Sequence, residues 1–201
     1  MRRFIPALFA ATLFAAPAAA ADIAGSEFTS GLWIGAADAD ANGAFTLCHV
    51  SISYTTGETL WLSLYHDDIL TVLLAKQGVT FTTGQNFPAY LMTEVGLPTQ
   101  GVAQAVDQAY AGMSLTGIDS SIEFLTQGSY LRLIGIGIDQ AFDIRGIGGA
   151  LAKARACVQT YNKGAKPAAI NAVPETAPAP GIGKKPVLGT GLGTPAPKPA
   201  P

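Results

Sequence analysis

The chain has little charge, few histidines and few cysteines. Of its 201 residues, 13% are charged, two are histidine and two are cysteine. Average globular proteins carry about 25% charged residues, and disordered chains or coiled coils need more than this chain has. Two cysteines exclude a disulfide-dense scaffold and a multi-cysteine zinc module. The sequence names no activity, but it constrains the compartment, the domain organisation and the fold.

The charge is unevenly distributed along the chain. Residues 22–163 contain six basic and 13 acidic side chains, a net charge of −7, whereas residues 164–201 contain four lysines and one acid. An acidic body repels nucleic acid and anionic lipid head groups through its summed field. We therefore expect no nucleic-acid partner.

The first 21 residues have the three parts of a secretory signal peptide. Arg2 and Arg3 form a positive start, residues 4–16 are almost entirely apolar, and four alanines end at Ala21. The apolar run is shorter than the roughly 20 residues that span a bilayer core. We expect export, cleavage to leave Ala21 or Asp22 first, and a periplasmic or secreted protein without a membrane span in the mature chain.

Export determines how the two cysteines are interpreted. An oxidising compartment favours a disulfide between Cys48 and Cys157, which lie 109 positions apart. The alternative is a reactive thiol. Reactive pairs usually occur as C-x-x-C, and a nucleophilic cysteine needs a nearby histidine; neither pattern is visible here. We predict a structural disulfide.

The C-terminal segment differs in composition from the rest. Residues 165–201 contain nine of the 13 prolines and no aromatic residue. Such a segment cannot bury enough apolar surface to offset its chain entropy. The predicted organisation is a signal peptide at 1–21, a single domain at 22–164, and a disordered tail rich in Pro, Ala, Gly and Lys at 165–201.

Alternating apolar residues predict a first hairpin from residues 45–54 and 59–66. A two-residue turn pairs Val50 with Ser63. A three-residue turn ending at Gly57 pairs Val50 with Leu62 instead, and it collects the apolar residues of both strands on one face. We predict the three-residue turn.

The later elements complete an α+β fold: an antiparallel sheet of hairpins with a C-terminal helix packed across it. Ser120 and Glu123 form a capping-box pattern for a short helix ending at Gly128. Helical spacing from Ala150 to Tyr161 predicts the last helix, with Cys157 on its apolar side. The remaining predicted segments are a second hairpin of 69–75 and 79–83, strands at 89–95 and 102–110 (the latter also compatible with a helix), and strands at 130–138 and 142–144 joined by a turn at 139–140.

The predicted first hairpin places His49 and His66 on opposite faces of the sheet. That arrangement disfavours a shared metal site, whose ligands must converge. His66, Asp67 and Asp68 could hold a divalent cation, but the same triplet is typical of a polar turn between strands, which we favour. We predict no catalytic, cofactor-binding or metal-binding residue, and no cofactor.

Two further groups of side chains are open to more than one interpretation. Asp139 and Asp143 could form an acid pair or be ordinary turn and edge residues. Trp61 and Tyr65 share one face of their strand, with Phe45 on the matching face of the preceding strand. That face could be a ligand or partner surface, or a second buried face beneath a helix or loop; we favour burial.

A sparse pattern spans residues 33–160, and its members are Phe45, Cys48, Gly57, Phe142, Asp143, Ile144, Gly146, Ala150, Leu151, Cys157 and Val158. This pattern resembles small exported proteins of Gram-negative bacteria with no assigned activity. The closing helix, with Gly146 followed by Ala150 and Leu151, also resembles the invasion-associated locus B family, which has further cysteines that this chain lacks. The resemblance implies a periplasmic domain held by one disulfide and supplies no catalytic residue.

These features predict a non-catalytic periplasmic protein that binds an envelope protein or a cell-wall component. Two alternatives remain. One is a hydrolase or other enzyme with an unrecognised site near His66; the other is an envelope structural protein tethered by its tail.

Overall fold

A computed structural model describes residues 21–162. The predicted leader before Ala21 and the predicted tail after Gly164 lie outside the described residues. The described chain forms eleven strands and two helices in the order β1 Ala21–Asp22, β2 Phe28–Ser30, β3 Trp33–Ala39, β4 Phe45–Ser53, β5 Glu58–Tyr65, β6 Ile69–Lys76, β7 Asn86–Thr93, β8 Thr99–Ala105, β9 Tyr110–Thr116, α1 Ile118–Thr126, β10 Tyr130–Gly135, β11 Ile138–Asp143 and α2 Ile147–Tyr161.

All eleven strands belong to one antiparallel sheet. Its order is β1-β3-β4-β5-β6-β9-β8-β7-β10-β11, and β2 pairs with β3 beside β1. The C-terminal helix α2 packs against β2, β3, β4 and β5. The structure thus confirms the predicted α+β class, with a dominant antiparallel sheet and a C-terminal helix across it.

The first hairpin has the predicted register. Val50 pairs with Leu62, and Ile52 pairs with Leu60. Gly57 has φ of +88°, a left-handed conformation that a side chain would strain, and its amide donates to the carbonyl of Tyr54 at 3.1 Å. Since a shift of one residue would turn the apolar side chains to the other face, burial of that face selects this pairing.

The face that this register creates is the main core, called here the inner face. Val50, Ile52, Leu60 and Leu62 are at most 3% exposed, and both helices supply residues to the same cluster. Beside it, the Cys48–Cys157 disulfide joins β4 to α2. The opposite side of the sheet is called the outer face.

The two ends of the sheet approach each other through the inner face. The hydroxyl of Tyr54 donates to the carbonyl of Asp143 at 2.9 Å, and Nε1 of Trp33 donates to the carbonyl of Arg145 at 3.2 Å. Trp33 and Tyr54 are at most 1% exposed. The closing segment, residues 143–145, therefore links the end of β11 to β3 and to the residue after β4.

The predicted second hairpin is wrong. Gly78 does close a turn, but β6 pairs with β9 rather than with residues 79–83. The reason is burial. β9 presents Ala111, Met113 and Leu115 to the inner face, whereas Phe81 is the one buried residue in 79–83. The strands predicted at 89–95 and 102–110 are likewise shifted, because the chain forms β7, β8 and β9 there.

The turn between the last two strands also differs from the prediction. It lies at Ile136 and Gly137 rather than at 139–140, and both residues have positive φ, 56° and 75°. Two consecutive left-handed residues are the conformation of a tight type I′ hairpin. Ile136 is an unfavourable residue for this turn, but its side chain is 5% exposed and lies in the core. Burial outweighs local preference here.

Neither helix among residues 21–162 is long and apolar enough to cross a bilayer. The longer one, α2, has 15 residues.

Candidate functional site

The outer face carries a cluster of ionisable side chains at the edge formed by β1, β3 and β4. Asp22 lies directly opposite Asp38 in the β1–β3 ladder. On the other side of β3, Asp38 pairs with Leu47, which places His49 diagonally across from it. One carboxylate oxygen of each aspartate and one ring nitrogen of His49 all lie within 4.8 Å of one another. We call Asp22, Asp38 and His49 the edge cluster.

Two members of the edge cluster are buried and bonded to each other. Nδ1 of His49 lies 2.6 Å from Oδ2 of Asp38, and the two residues are 4% and 2% exposed. The other carboxylate oxygen, Oδ1 of Asp38, is buried and has no hydrogen-bond partner among the described residues. Asp22 is exposed, so the cluster opens to solvent on the β1 side.

Aromatic side chains of β5 border the edge cluster. Trp61 stacks on His49, with ring centroids 3.8 Å apart and an angle of 25° between the planes. Tyr65 belongs to the same strand; burial raises the pKa of Tyr65 to about 12, and the negative charges of Asp38 and Asp67 contribute. Burial also raises the pKa of Asp22, with Asp38 adding to the effect and His49 opposing it. The cluster thus places two carboxyl groups close together, one buried and one at the solvent side.

The arrangement does not present a serine nucleophile to a substrate. Ser63 lies directly opposite His49 in the β4–β5 ladder, which gives three residue types of a hydrolytic triad on one face. The hydroxyl of Ser63, however, accepts a hydrogen bond from Nε1 of Trp61 at 3.1 Å, and Ser63 is 1% exposed. A nucleophile must reach the substrate, so this geometry favours an orienting or ligand-holding role for His49.

His66, Asp67 and Asp68 form the polar turn between β5 and β6. Asp68 has φ of +66°, and its Oδ1 accepts a hydrogen bond from the amide of Ile118 at 2.9 Å. This carboxylate therefore caps α1, which begins at Ile118. Nδ1 of His66 is buried without a hydrogen-bond partner among the described residues.

The capping box predicted from Ser120 and Glu123 is wrong, because Asp68 caps the helix instead. Asp68, some 50 positions earlier in the chain, supplies the acceptor that Ser120 was expected to supply. Ser120 instead donates its hydroxyl to the carbonyl of Gly117 at 2.9 Å. The helix ends at Thr126 with Gln127 as its C-cap, so the expected stop at Gly128 follows directly.

The remaining candidate residues separate into individual contacts. Asp139 binds Arg132, whereas Asp143 binds Arg145, so the two acids do not form a pair. Each arginine lowers the pKa of the carboxyl group that it contacts. These are surface or loop ion pairs rather than a shared acid site.

Trp61 is buried in a small cluster on the outer face. Its partners there are Leu73 and Tyr110, with Val106 and Ala109 from the β8–β9 connection packed against them. Phe45 leaves this face because a register shift between Asp38 and Ala39 turns it towards Tyr161, where the ring centroids lie 6.0 Å apart. The burial favoured from the sequence is confirmed for Trp61, but Phe45 was assigned to the wrong face.

A second part of the outer face carries apolar side chains that are exposed or partly exposed, with Gln100 and Arg132 between them. It lies on β7, β8 and β10, where Tyr90 pairs with Ile134, and Pro88 pairs with Val102. Val102 is 64% exposed, Pro88 is exposed, and the other members are partly exposed. We call this set the outer patch; its members are Pro88, Tyr90, Met92, Val102 and Ile134.

Sequence reasoning missed Asp22 and Asp38 as members of a site. Asp38 lies in a run of small residues, and Asp22 directly follows the predicted leader. Only the pairing of β3 with both β1 and β4 brings them to His49. No spacing motif signals that arrangement, because the three residues come from three separate strands.

Comparison with known proteins gives matches among solved structures alone. No family model matches the chain, and no curated protein matches it. The crystal structure of invasion associated protein B from Bartonella henselae is similar to this chain with a TM-score of 0.48 and 14% sequence identity, over 67% of this chain and 97% of that one. The similarity assigns no activity to the chain.

Proposed function

We propose that this chain is an exported periplasmic binding domain whose outer patch docks on an envelope protein. The observation that carries the proposal is the exposure of an apolar sheet face on β7, β8 and β10. Contiguous exposed apolar surface is uncommon on proteins that act alone, and it marks interaction sites. Gln100 and Arg132 lie directly opposite Tyr90 and Met92 on the same face, and apolar side chains bordered by polar ones are typical of protein–protein interfaces, which favours a protein partner.

Export is supported by the composition of residues 1–21 and by the disulfide between Cys48 and Cys157. Disulfides persist in the periplasm and outside the cell, and they are rare in a reducing cytosol. The enzymatic alternative near His66 has weaker support, because the Asp68 carboxylate is engaged in capping α1.

Photo-crosslinking in intact cells tests the docking site. A photoreactive amino acid at Met92 should give a discrete covalent adduct with one envelope protein in the native host. A probe at Glu123, which is exposed on α1, is the matched control and should give none.

The surface variant Val102→Glu should abolish the adduct at position 92 while leaving the melting temperature unchanged, because Val102 is largely exposed. An adduct that persists in this variant would place the partner elsewhere. If the chain with the probe at Met92 and no other substitution formed no adduct, the proposed binding role would lose its basis.

A further inference from the structure

The edge cluster combines three ligand types in one place. Asp22, Asp38 and His49 come from β1, β3 and β4, three adjacent strands of the same sheet face. Their donor atoms lie within 4.8 Å of one another, and two of the three residues are buried. Asp38 and His49 lie within long strands, and donors fixed on strands are held more firmly than donors on loops, which reduces the entropy lost when a ligand orders them.

The cluster also has an unmet electrostatic requirement. Asp22 and Asp38 are like charges directly opposite each other, an arrangement that destabilises a strand pair. Oδ1 of Asp38 is buried and has no hydrogen-bond partner among the described residues, although a buried carboxylate oxygen normally has one. Both features call for an additional positive centre near Asp38.

We propose that Asp22, Asp38 and His49 bind one divalent transition-metal cation, with Zn²⁺ as the best-matched ion. Imidazole and carboxylate together suit zinc and its first-row neighbours, whereas Mg²⁺ and Ca²⁺ prefer all-oxygen sites. Three protein ligands leave room for water at the remaining position. The exposed side of Asp22 provides the path by which the ion enters.

Coordination replaces the direct contact between the two buried side chains. Nδ1 of His49 and Oδ2 of Asp38 lie 2.6 Å apart. A metal ion binds a deprotonated ring nitrogen of a neutral imidazole, so a proton on that nitrogen moves to the other ring nitrogen or to solvent. The stacking of Trp61 on the imidazole holds the ring in place during the exchange.

The site also explains how a strand of two residues is retained. β1 consists of Ala21 and Asp22 alone, and it contacts β3 through two residue pairs. A cation shared by Asp22 and Asp38 would fasten this short edge strand to the sheet. Metal binding should therefore raise the melting temperature.

Isothermal titration calorimetry on the untagged full chain, purified from the periplasm and treated with chelator, tests the proposal. ZnCl₂ should bind with one-to-one stoichiometry and should raise the melting temperature. MgCl₂ should do neither.

Asp22→Asn and His49→Gln should each weaken zinc binding by about tenfold or more, since loss of even an outer-sphere partner costs 10- to 100-fold. Asp22 is exposed on a two-residue strand, so Asp22→Asn should fold normally. His66→Gln is the matched control, because it removes the other histidine and should leave the affinity unchanged.

Three results would overturn the proposal. Absence of zinc binding to the wild-type protein would mean that a proton or the amino group of a processed N-terminus neutralises Asp38. Equal zinc binding to wild type, Asp22→Asn and His49→Gln would locate the site elsewhere. Binding of Mg²⁺ as tight as that of Zn²⁺ would indicate a nonselective acidic surface without an imidazole ligand.

Discussion

Individual side chains in this protein often take a role set by a distant neighbour. Asp68 is the clearest case. Its carboxylate accepts the amide of Ile118 at 2.9 Å, and its backbone carbonyl accepts the amide of Gly117 at 3.0 Å. One turn residue thereby satisfies two of the amides at the start of α1, groups that a helix cannot pair internally.

Asp68→Ala is expected to lower the free energy of unfolding by about 1–2 kcal/mol. The substitution removes the cap of α1, which is worth about 1 kcal/mol, and alanine tolerates the positive φ less well than aspartate does. Urea denaturation followed by circular dichroism measures the change. Asp67→Ala, at the exposed neighbouring position, should stay within about 0.5 kcal/mol of wild type. Equal losses at both positions would refute the capping role.

Ile136 tests whether burial or local strain dominates in the β10–β11 turn. Ile136→Gly relieves a left-handed conformation that costs about 1–2 kcal/mol, but it also removes a buried side chain whose loss costs at least 2–5 kcal/mol. We therefore expect a net loss of stability of about 1–3 kcal/mol. An increase in stability on denaturant titration would show that the strain is the larger quantity.

At the scale of elements, the disulfide is the covalent link between the sheet and the last helix. Cys48 lies in β4 and Cys157 in α2, and the bridge closes a loop of 109 positions. In the chain-entropy description, closing such a loop stabilises the fold by about 4–5 kcal/mol.

Replacing both cysteines with alanine should lower the melting temperature by roughly 10–20 °C, given about 2–5 °C per kcal/mol for a domain of this size. Differential scanning calorimetry measures the shift, and wild-type protein melted in reductant should show a similar one. Reductant should leave the melting temperature of the double variant unchanged. A shift of only a few degrees would mean that α2 is held by packing rather than by the bridge.

Elements that depend on contacts between residues close in the sequence were predictable, whereas elements that depend on contacts between distant residues were not. The first hairpin was predictable because its register depends on a three-residue turn and on alternation over neighbouring residues. α2 was predictable from its spacing. The β6–β9 pairing was not, because the segment after Gly78 has a local turn but too few apolar residues to form a strand of the core. The edge cluster was missed because it requires two strand registers that leave no local pattern.

At the scale of the whole molecule, the closing segment 143–145 holds the two ends of the sheet together. Its carbonyl groups accept hydrogen bonds from Tyr54 and Trp33 inside the fold. Its conformation depends on Asp143, whose carboxylate accepts hydrogen bonds from both the amide and the guanidinium of Arg145. An exposed guanidinium thus stabilises a buried carboxylate at the point where the sheet closes.

This arrangement predicts a specific loss of stability in acid. The Arg145 side chain holds the pKa of Asp143 below its ordinary value of 3.8. In the unfolded chain the carboxyl group protonates at that ordinary value, so between the two pKa values the unfolded state binds more protons. The contribution of Asp143 is therefore complete above about pH 5, and it declines as the pH falls through 3.8 towards the folded pKa.

The variant Asp143→Asn isolates that contribution. It should be less stable than wild type at pH 7. The difference between the two should shrink as the pH falls from 5 to 3, because protonation of Asp143 in wild type removes the same negative charge that the substitution removes. Free energies of unfolding from urea titrations at each pH provide the measurement. The matched control is Asp139→Asn, since its exposed pair with Arg132 lies outside the closing segment and should cost little at pH 7. If the difference in free energy of unfolding between wild type and Asp143→Asn stayed constant across this range, Asp143 would act through its hydrogen-bond geometry alone rather than through its charge.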